Sequence, residues 1–260
     1  MQFPEQQFVP VYWMATEDHD FDEINSFNFK EEKLKWNSSN TGAVGQFSLE
    51  GLQEVFNSFS KLLGNSSNAS YLKELFEKAY LQHSTLSGGT RYIANELFKE
   101  YGLVIIDADH PKFKDIFIPI MKDEVLNQTS FKSVSKTISS LQKAYKIQVN
   151  PRDINLFYLK DHLRSRIVEE NGQYRILDTE LIFSKDEMLY ELENNSERFS
   201  PNVIMRPLYE ELILPNLCYV GGGGELAYWF QLKSYFESVS IPFPILMLRN
   251  SVQIISKKQA

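Results

Sequence analysis

The sequence predicts an α/β fold built on a doubly wound parallel sheet, and three observations carry that expectation. Short apolar runs rich in β-branched and aromatic residues recur at 9–14 (VPVYWM), 103–107 (LVIID), 217–220 (LCYV) and 243–248 (FPILML), each the length of a strand. Between them, apolar residues fall at i, i+3, i+4 and i+7, the period of amphipathic helices. The run at 217–220 passes through Gly221, Gly222, Gly223 and Gly224 straight into a helical pattern, the strand–turn–helix join of an α/β unit. A chain of 260 residues can fill one such core with a modest insertion.

The elements follow in order. The run at 9–14 ends in Glu17, Asp18, His19 and Asp20. Ser48 precedes a stripe of Leu49, Leu52, Val55, Phe56, Phe59, Leu62 and Leu63, and Gly64 supplies a C-terminal cap. The polar GNSSNAS loop leads to a second helix carrying Leu72, Leu75, Phe76, Ala79 and Tyr80 on one face. A third helix is expected over roughly 90–101, ending at Gly102. LVIID reads as a short, fully buried strand closing on Asp107, followed by Asp109 and His110. From 111 to about 146 the pattern gives two more helices. LFYL (156–159), RIVEE (166–170) and QYRIL (173–177) resemble antiparallel strands, the last two joined by the hairpin turn Asn171-Gly172. Ser184 and Glu187 have capping-box spacing. A helix from about Glu225 to Phe236 follows the glycines. Residues 1–110 and 200–260 thus read as two halves of the core, with 111–199 inserted between them.

Composition narrows the function. With 43% hydrophobic and 13% aromatic residues the chain can bury a core. A net charge of −7, without a long Lys/Arg block, argues against a nucleic-acid or anionic-membrane surface and favours small ligands. Cys218 is the single cysteine, so there is no intrachain disulfide framework and no zinc spacing; a reducing cytoplasm is the expected compartment. No apolar stretch reaches transmembrane length, and MQFPEQQF has neither a basic nor a hydrophobic signal region.

Three groups could carry chemistry. In EDHD, extended alternation would put Glu17 and His19 on one side and Asp18 and Asp20 on the other. Carboxylates beside His19 would favour its charged form, suited to a general acid or an anion anchor, and the acids could instead hold a substrate amine or a magnesium ion. The glycine run before Glu225 would let a ligand approach the backbone at a helix N-terminus, although its spacing matches neither a P-loop nor the dinucleotide fingerprint. Upstream, Asn202 and Arg206 could bind polar groups, Arg206 clamping a carboxylate or phosphate. The structural alternatives are a solvated acidic turn, a tight strand-to-helix turn and a salt-bridged arginine. Cys218 and the remaining histidines read as structural.

Taken together, PVYWMATEDHDFDEIN, GLVIID, FSPNVIMRPLYEELILPN and LCYVGGGGELAYWFQLK resemble the bacillithiol biosynthesis cysteine-adding family, BshC, in order and over nearly the whole chain. The resemblance implies a Rossmann-like core similar to class I aminoacyl-tRNA synthetases, with connecting-peptide-like insertions. It also implies a ligase that adds cysteine to glucosaminyl-malate in thiol metabolism. EDHD would stand at the rim of the crevice opposite the glycine loop. ATP is expected from the family and the reaction class, since HxGH and KMSKS-type patterns are lacking. Family members are longer, with a first strand and GPLY-containing segment before the part matched here and a dimerising coiled coil after it, so this chain is expected to be a truncated form. The rival readings are a non-catalytic remnant or small-molecule-binding domain, and a metal-dependent hydrolase using EDHD with DADH.

Overall fold

In a computed structural model, the structure describes residues 5–214 and 216–255. The start of the MQFPEQQF segment and the last five residues lie outside the described residues. Contacts divide the chain into two compact units, Met1–Phe113 with Tyr158–Ser165, and Lys114–Phe157 with Arg166–Ala260.

The first unit opens with β1 (Val11–Met14), a one-turn helix α1 (Phe21–Ile24) and an antiparallel hairpin of β2 (Ser26–Phe29) and β3 (Glu32–Lys35). Three helices follow, α2 (Leu52–Leu63), α3 (Ser67–Tyr80) and α4 (Leu86–Phe98), and then β4 (Val104–Asp107). β1 and β4 pair in parallel, with Met14 opposite Asp107. A core of Leu34, Trp36, Val44, Phe47, Leu52 and Val55 joins the hairpin to α2, with Phe59 and Phe76 packed against it.

Most of the helix signals act as expected, with shifted edges. α2 ends at Gly64, whose φ of 78° suits a residue without a Cβ, but its N-cap is Gly51 rather than Ser48. α3 begins inside the GNSSNAS loop because the Ser66 side chain accepts the Ala69 N–H. α4 begins four residues before the expected Thr90, capped by Thr85. Gly88 and Gly89 look like helix breakers in the sequence, yet Gly89 lets two helices approach closely: a Cβ there would lie 2.5 Å from the Ala79 carbonyl oxygen. LVIID is a strand but not a fully buried one, since Val104 is 43% exposed.

Next come α5 (Pro111–Asn127), which enters the second unit at Lys114, and α6 (Thr129–Leu141). Strands β5 (Leu156–Lys160), β6 (Leu163–Glu170), β7 (Gln173–Ile176), β8 (Ile182–Ser184) and β9 (Phe199–Pro201) form a sheet in the order β8-β7-β6-β5-β9. The tip of the β5–β6 hairpin is counted with the first unit. Asn171 and Gly172 take positive φ values of 55° and 80°, the backbone a two-residue hairpin demands. Between β8 and β9, α7 (Lys185–Asn194) carries the complete Ser184–Glu187 capping box. Then come α8 (Arg206–Ile213), β10 (Cys218–Gly221), α9 (Gly223–Trp229), α10 (Lys233–Ser238) and β11 (Ile245–Leu248), with β10 and β11 parallel. The expected continuous helix over 225–236 is interrupted by a 3₁₀ turn at Phe230–Leu232. That turn presents Gln231, which is buried and whose amide bonds the Gln148 N–H and the Val149 carbonyl. Among the described residues no helix is long and apolar enough to cross a membrane.

Two adjacent glycines test the packing argument. Gly→Ala in a helix gains roughly 1 kcal/mol of propensity, whereas overpacking costs about 1–3 kcal/mol. Gly89→Ala, facing backbone at 2.5 Å, should lower the urea midpoint; Gly88→Ala, whose nearest neighbours are side-chain atoms at 3.4 Å, should leave it unchanged or raise it. Equal effects in the two variants would remove the close-approach account of Gly89.

Candidate functional site

In the first unit the chain leaves β1 at Met14 and turns. The Asp18 N–H donates to the Ala15 carbonyl at 3.2 Å, so EDHD is not extended. The expected alternation therefore fails: Glu17 is buried at 1% exposure, whereas His19 and Asp20 are exposed. The turn is held from the side by the Val44 N–H on the Asp18 carbonyl (2.6 Å) and the Gly45 N–H on the Thr16 carbonyl (2.8 Å). Gly45 is needed for that approach, since a Cβ would lie 2.5 Å from Thr16 Cβ.

The end of β4 joins the same region. The Thr16 hydroxyl donates to Asp107 Oδ1, and Arg91 lies 3.5 Å from Asp107 Oδ2. The Asp109 N–H donates to Asp107 Oδ1 at 3.1 Å, and Gln46 Nε2 donates to Asp109 Oδ2 at 2.9 Å. Burial pushes the Asp109 carboxyl up to about 6, aided by the Asp107 charge and opposed by the Gln46 hydrogen bond.

Around the His19 ring, Asp18 Oδ1 lies 3.5 Å from Nδ1 and Asp20 Oδ1 3.9 Å from Nε2. Arg164, which the sequence reading did not single out, reaches in from β6. Its side chain is 2% exposed, and Nη1 stands 2.5 Å from His19 Nδ1 and 3.7 Å from Asp18 Oδ1. No local signal marks a residue 145 positions away. Asp18, His19 and Asp20 have metal-ligand spacing, their ligand atoms within 4.8 Å of one another. A guanidinium that close to two of them repels a divalent cation, so the set does not fit a resident metal. His110, the histidine of DADH, is not among these three; its Nδ1 accepts the Lys112 N–H at the start of α5. A cavity of about 380 Å³ lies in the same unit, walled by Trp36, Val55, Phe76 and Tyr80 with Thr16 and Ser87. No Asp, Glu, His, Lys or Arg lines it, so it can take apolar groups but not move protons at neutral pH.

In the second unit the glycine run links β10 to α9 through a capping interaction. Glu225 Oε2 accepts the Gly222 N–H at 2.6 Å, and Oε1 accepts the Tyr219 hydroxyl at 3.1 Å. A carboxylate thus occupies the position an incoming phosphate would contest. Gly221 is buried, while Gly223 and Gly224 border open space, and Arg249 approaches Gly222. Arg206 starts α8, and Glu210 lies one turn along it. Burial pushes Glu210 up to about 8, reinforced by Glu211 and Glu225 and opposed by Arg206. Glu211, which accepts two hydrogen bonds from Asn216, is pushed up to about 7 by burial. Burial also raises the Tyr219 hydroxyl, and raises Tyr228 to about 12, so both are neutral donors near pH 7. Glu210, Tyr219 and Tyr228 were not foreseen; burial, which a single sequence does not print, makes them distinctive.

Asn202 is placed differently from a ligand-binding residue. Its Nδ2 donates to Asn155 Oδ1 and its Oδ1 accepts the Ile204 N–H, both at 2.8 Å. Asn155 in turn donates to the buried Glu124, which also holds Ser130. Asn202 is thereby a joint in an internal polar network. Cys218 is half-buried in β10.

The raised carboxyls fix the sign of a pH effect. A carboxyl whose folded pKa lies above its unfolded value binds more protons when folded, so stability falls as pH rises between the two values. For Glu210 that window runs from 4.5 to about 8, for Glu211 from 4.5 to about 7, and for Asp109 from 3.8 to about 6. The urea midpoint should therefore be higher near pH 5.5 than near pH 8.5. Glu210→Gln, which carries no charge at either pH, should flatten the difference; an unaltered pH slope would show that Glu210 ionises freely in the fold.

Comparison with known proteins places these features. Residues 1–250 match the family model described as Bacillithiol biosynthesis BshC, N-terminal Rossmann-like domain. Curated relatives bearing the provisional name cysteine ligase BshC include that of Flavobacterium johnsoniae, 58% identical over all of this chain and 49% of that protein. That of Cytophaga hutchinsonii is 42% identical over 98% of this chain and 47% of its own length, and that of Staphylococcus carnosus 29% over 97% and 50%. The chain spans about half the length of the curated relatives it matches. Its parallel strands and helices, the EDHD turn and the glycine join thus belong to a Rossmann-like domain, and the chain is a member of the BshC family.

Proposed function

We propose that this chain is the Rossmann-like part of a ligase that joins cysteine to glucosaminyl-malate in bacillithiol biosynthesis. The match of residues 1–250 to the BshC domain carries the reading. On it, 1–110 and 200–260 are the two halves of the nucleotide-type core and 111–199 the connecting-peptide-like insertion. The enzyme works in the cytoplasm and dimerises through a coiled coil outside this segment.

Forming the amide requires an activated cysteine carboxyl and a neutral amine. ATP is the proposed activator: a carboxylate oxygen leaves with the phosphoryl or nucleotidyl group, and the amine gives up one proton as the C–N bond forms. Asp18 and Asp20 suit the amine, as hydrogen-bond acceptors and proton acceptors on an exposed turn. Glu17, the remaining acid of the group, is buried. In the second unit Arg206, Arg249 and the open flanks of Gly223 and Gly224 suit an anionic group, which would have to displace Glu225 from Gly222.

His19→Ala and Asp20→Asn test the role of EDHD, assayed as thiol product from cysteine and glucosaminyl-malate with any flanking coding sequence restored. Each should lower turnover on the order of a hundredfold. Asp20, on the exposed side of the turn, should change stability by less than about 0.5 kcal/mol when made Asn. Undiminished turnover in both variants would leave EDHD as a structural turn and favour the binding-domain reading, which the half-length match also allows.

A further inference from the structure

We propose that the cavity of the first unit is a binding site for an uncharged, largely apolar small molecule of about two-ring size that carries a single carbonyl or hydroxyl. The proposal goes beyond the ligase reading, whose substrates are charged and strongly polar, and does not rest on it.

The lining sets the chemistry. No Asp, Glu, His, Lys or Arg is part of it, so an ionised ligand would leave its hydration there and meet no countercharge. The wall offers hydrocarbon from Leu34, Leu52 and Val55 and aromatic surface from Trp36 and Phe76. Ser26, Ser87 and Thr90 bring hydroxyls, which can pair with one carbonyl or hydroxyl without a charge. The volume of about 380 Å³ is more than twice the ~150 Å³ of a dry apolar cavity that accepts benzene, and falls among small-molecule sites. Two rings or their equivalent fill it.

The cavity is preformed. The Trp36 indole N–H donates to the Glu50 carbonyl at 2.8 Å, and its ring meets Phe21 edge-on at 5.1 Å. Phe76 stacks on Phe56 at 5.7 Å and meets Tyr80 at 5.1 Å. These partners hold the aromatic walls in place. An empty space between such walls forfeits dispersion contacts, and an apolar lining gives water few partners, so an apolar occupant is favoured over both. There is also a way in: Tyr12, Ile24 and Phe27 belong to the lining and are nonetheless 40%, 50% and 41% exposed. Exposed apolar side chains gathered at a concavity mark a ligand site.

The position supplies a reporter. Thr16, Val44 and Gly45 line the cavity, and the Val44 and Gly45 N–H groups are the donors that hold the turn after β1. An occupant is therefore felt at those two amides.

The test uses the 260-residue chain and prodan, an uncharged naphthalene bearing a dimethylamino group and one carbonyl, whose emission moves to the blue in apolar surroundings. The expected result is saturable one-site binding, a urea midpoint that rises with prodan concentration, and NMR shifts at the Val44 and Gly45 amides and the Trp36 indole N–H. 2-Naphthol should displace prodan at least about tenfold better than naphthalene-2-sulfonate, which has the same rings and a charge. Ala15→Trp and Ser26→Phe, which add bulk at two separate lining positions, should each weaken prodan by at least about tenfold. Absence of saturable binding, shifts confined to other residues, or equal competition by the sulfonate overturns the proposal in the unmodified chain, with no variant having to fold. Full affinity in a folded filling variant at both positions overturns it as well. The same titration with any flanking coding sequence restored should still bind prodan; loss of binding there would make the occupant a segment of the protein itself and end the small-molecule assignment.

Discussion

The first unit depends on the parallel pairing of two short strands in one register. With Met14 opposite Asp107, the ends of β1 and β4 coincide, and the residues that follow each strand emerge at the same edge. The Thr16 hydroxyl on Asp107 closes that edge, and Asp107 also receives the Asp109 N–H. A slip of one residue would turn every side chain of the strand to the other face and part these groups. The turn that follows β1 is then determined: Val44 and Gly45 supply its backbone donors, and the absence of a Cβ at Gly45 permits the contact.

Two kinds of acidic group result from two environments. Asp18 stands on a turn with Arg164 Nη1 3.7 Å from its Oδ1, and Asp20 beside it is exposed to water. Glu210 has an arginine on its own helix, yet burial and two neighbouring carboxylates outweigh that attraction and hold it protonated to about pH 8. Glu210 is thus held neutral at a pH where a carboxyl with its ordinary pKa is charged. Proximity to an arginine does not decide the charge; the balance of desolvation and like charge does.

The glycine join shows why motif spacing and local chemistry need separate treatment. Four glycines between a strand and a helix invite a phosphate, and Gly223 and Gly224 do leave open space. Glu225, three residues into the turn, folds back onto Gly222 and satisfies the N–H at the point where an anion would bind. Tyr219 fixes that carboxylate from the strand side. The resulting arrangement is a self-capped turn with an arginine nearby, a pattern distinct from a phosphate cradle whose donors all point outward.

Much of this was present in the sequence because it is local. Helix faces at 49–63 and 72–80, the Asn171-Gly172 turn, the Ser184–Glu187 capping box and the four strand runs are written in residues a few positions apart, and hydrogen bonding within each element enforces them. The acidic turn after β1 and the glycine join were likewise visible as groups. Their chemistry was not, since it is set by partners far along the chain. Arg164 meets His19 across 145 positions, and Glu210 acquires its protonated state from the packing around it. Asn202, which looked like a ligand donor, is committed to Asn155. Sequence by itself determined the elements and the candidate groups; tertiary structure decided which donor faces which acceptor and how dry each stands, because hydrogen-bond partners and desolvation are properties of neighbours in space.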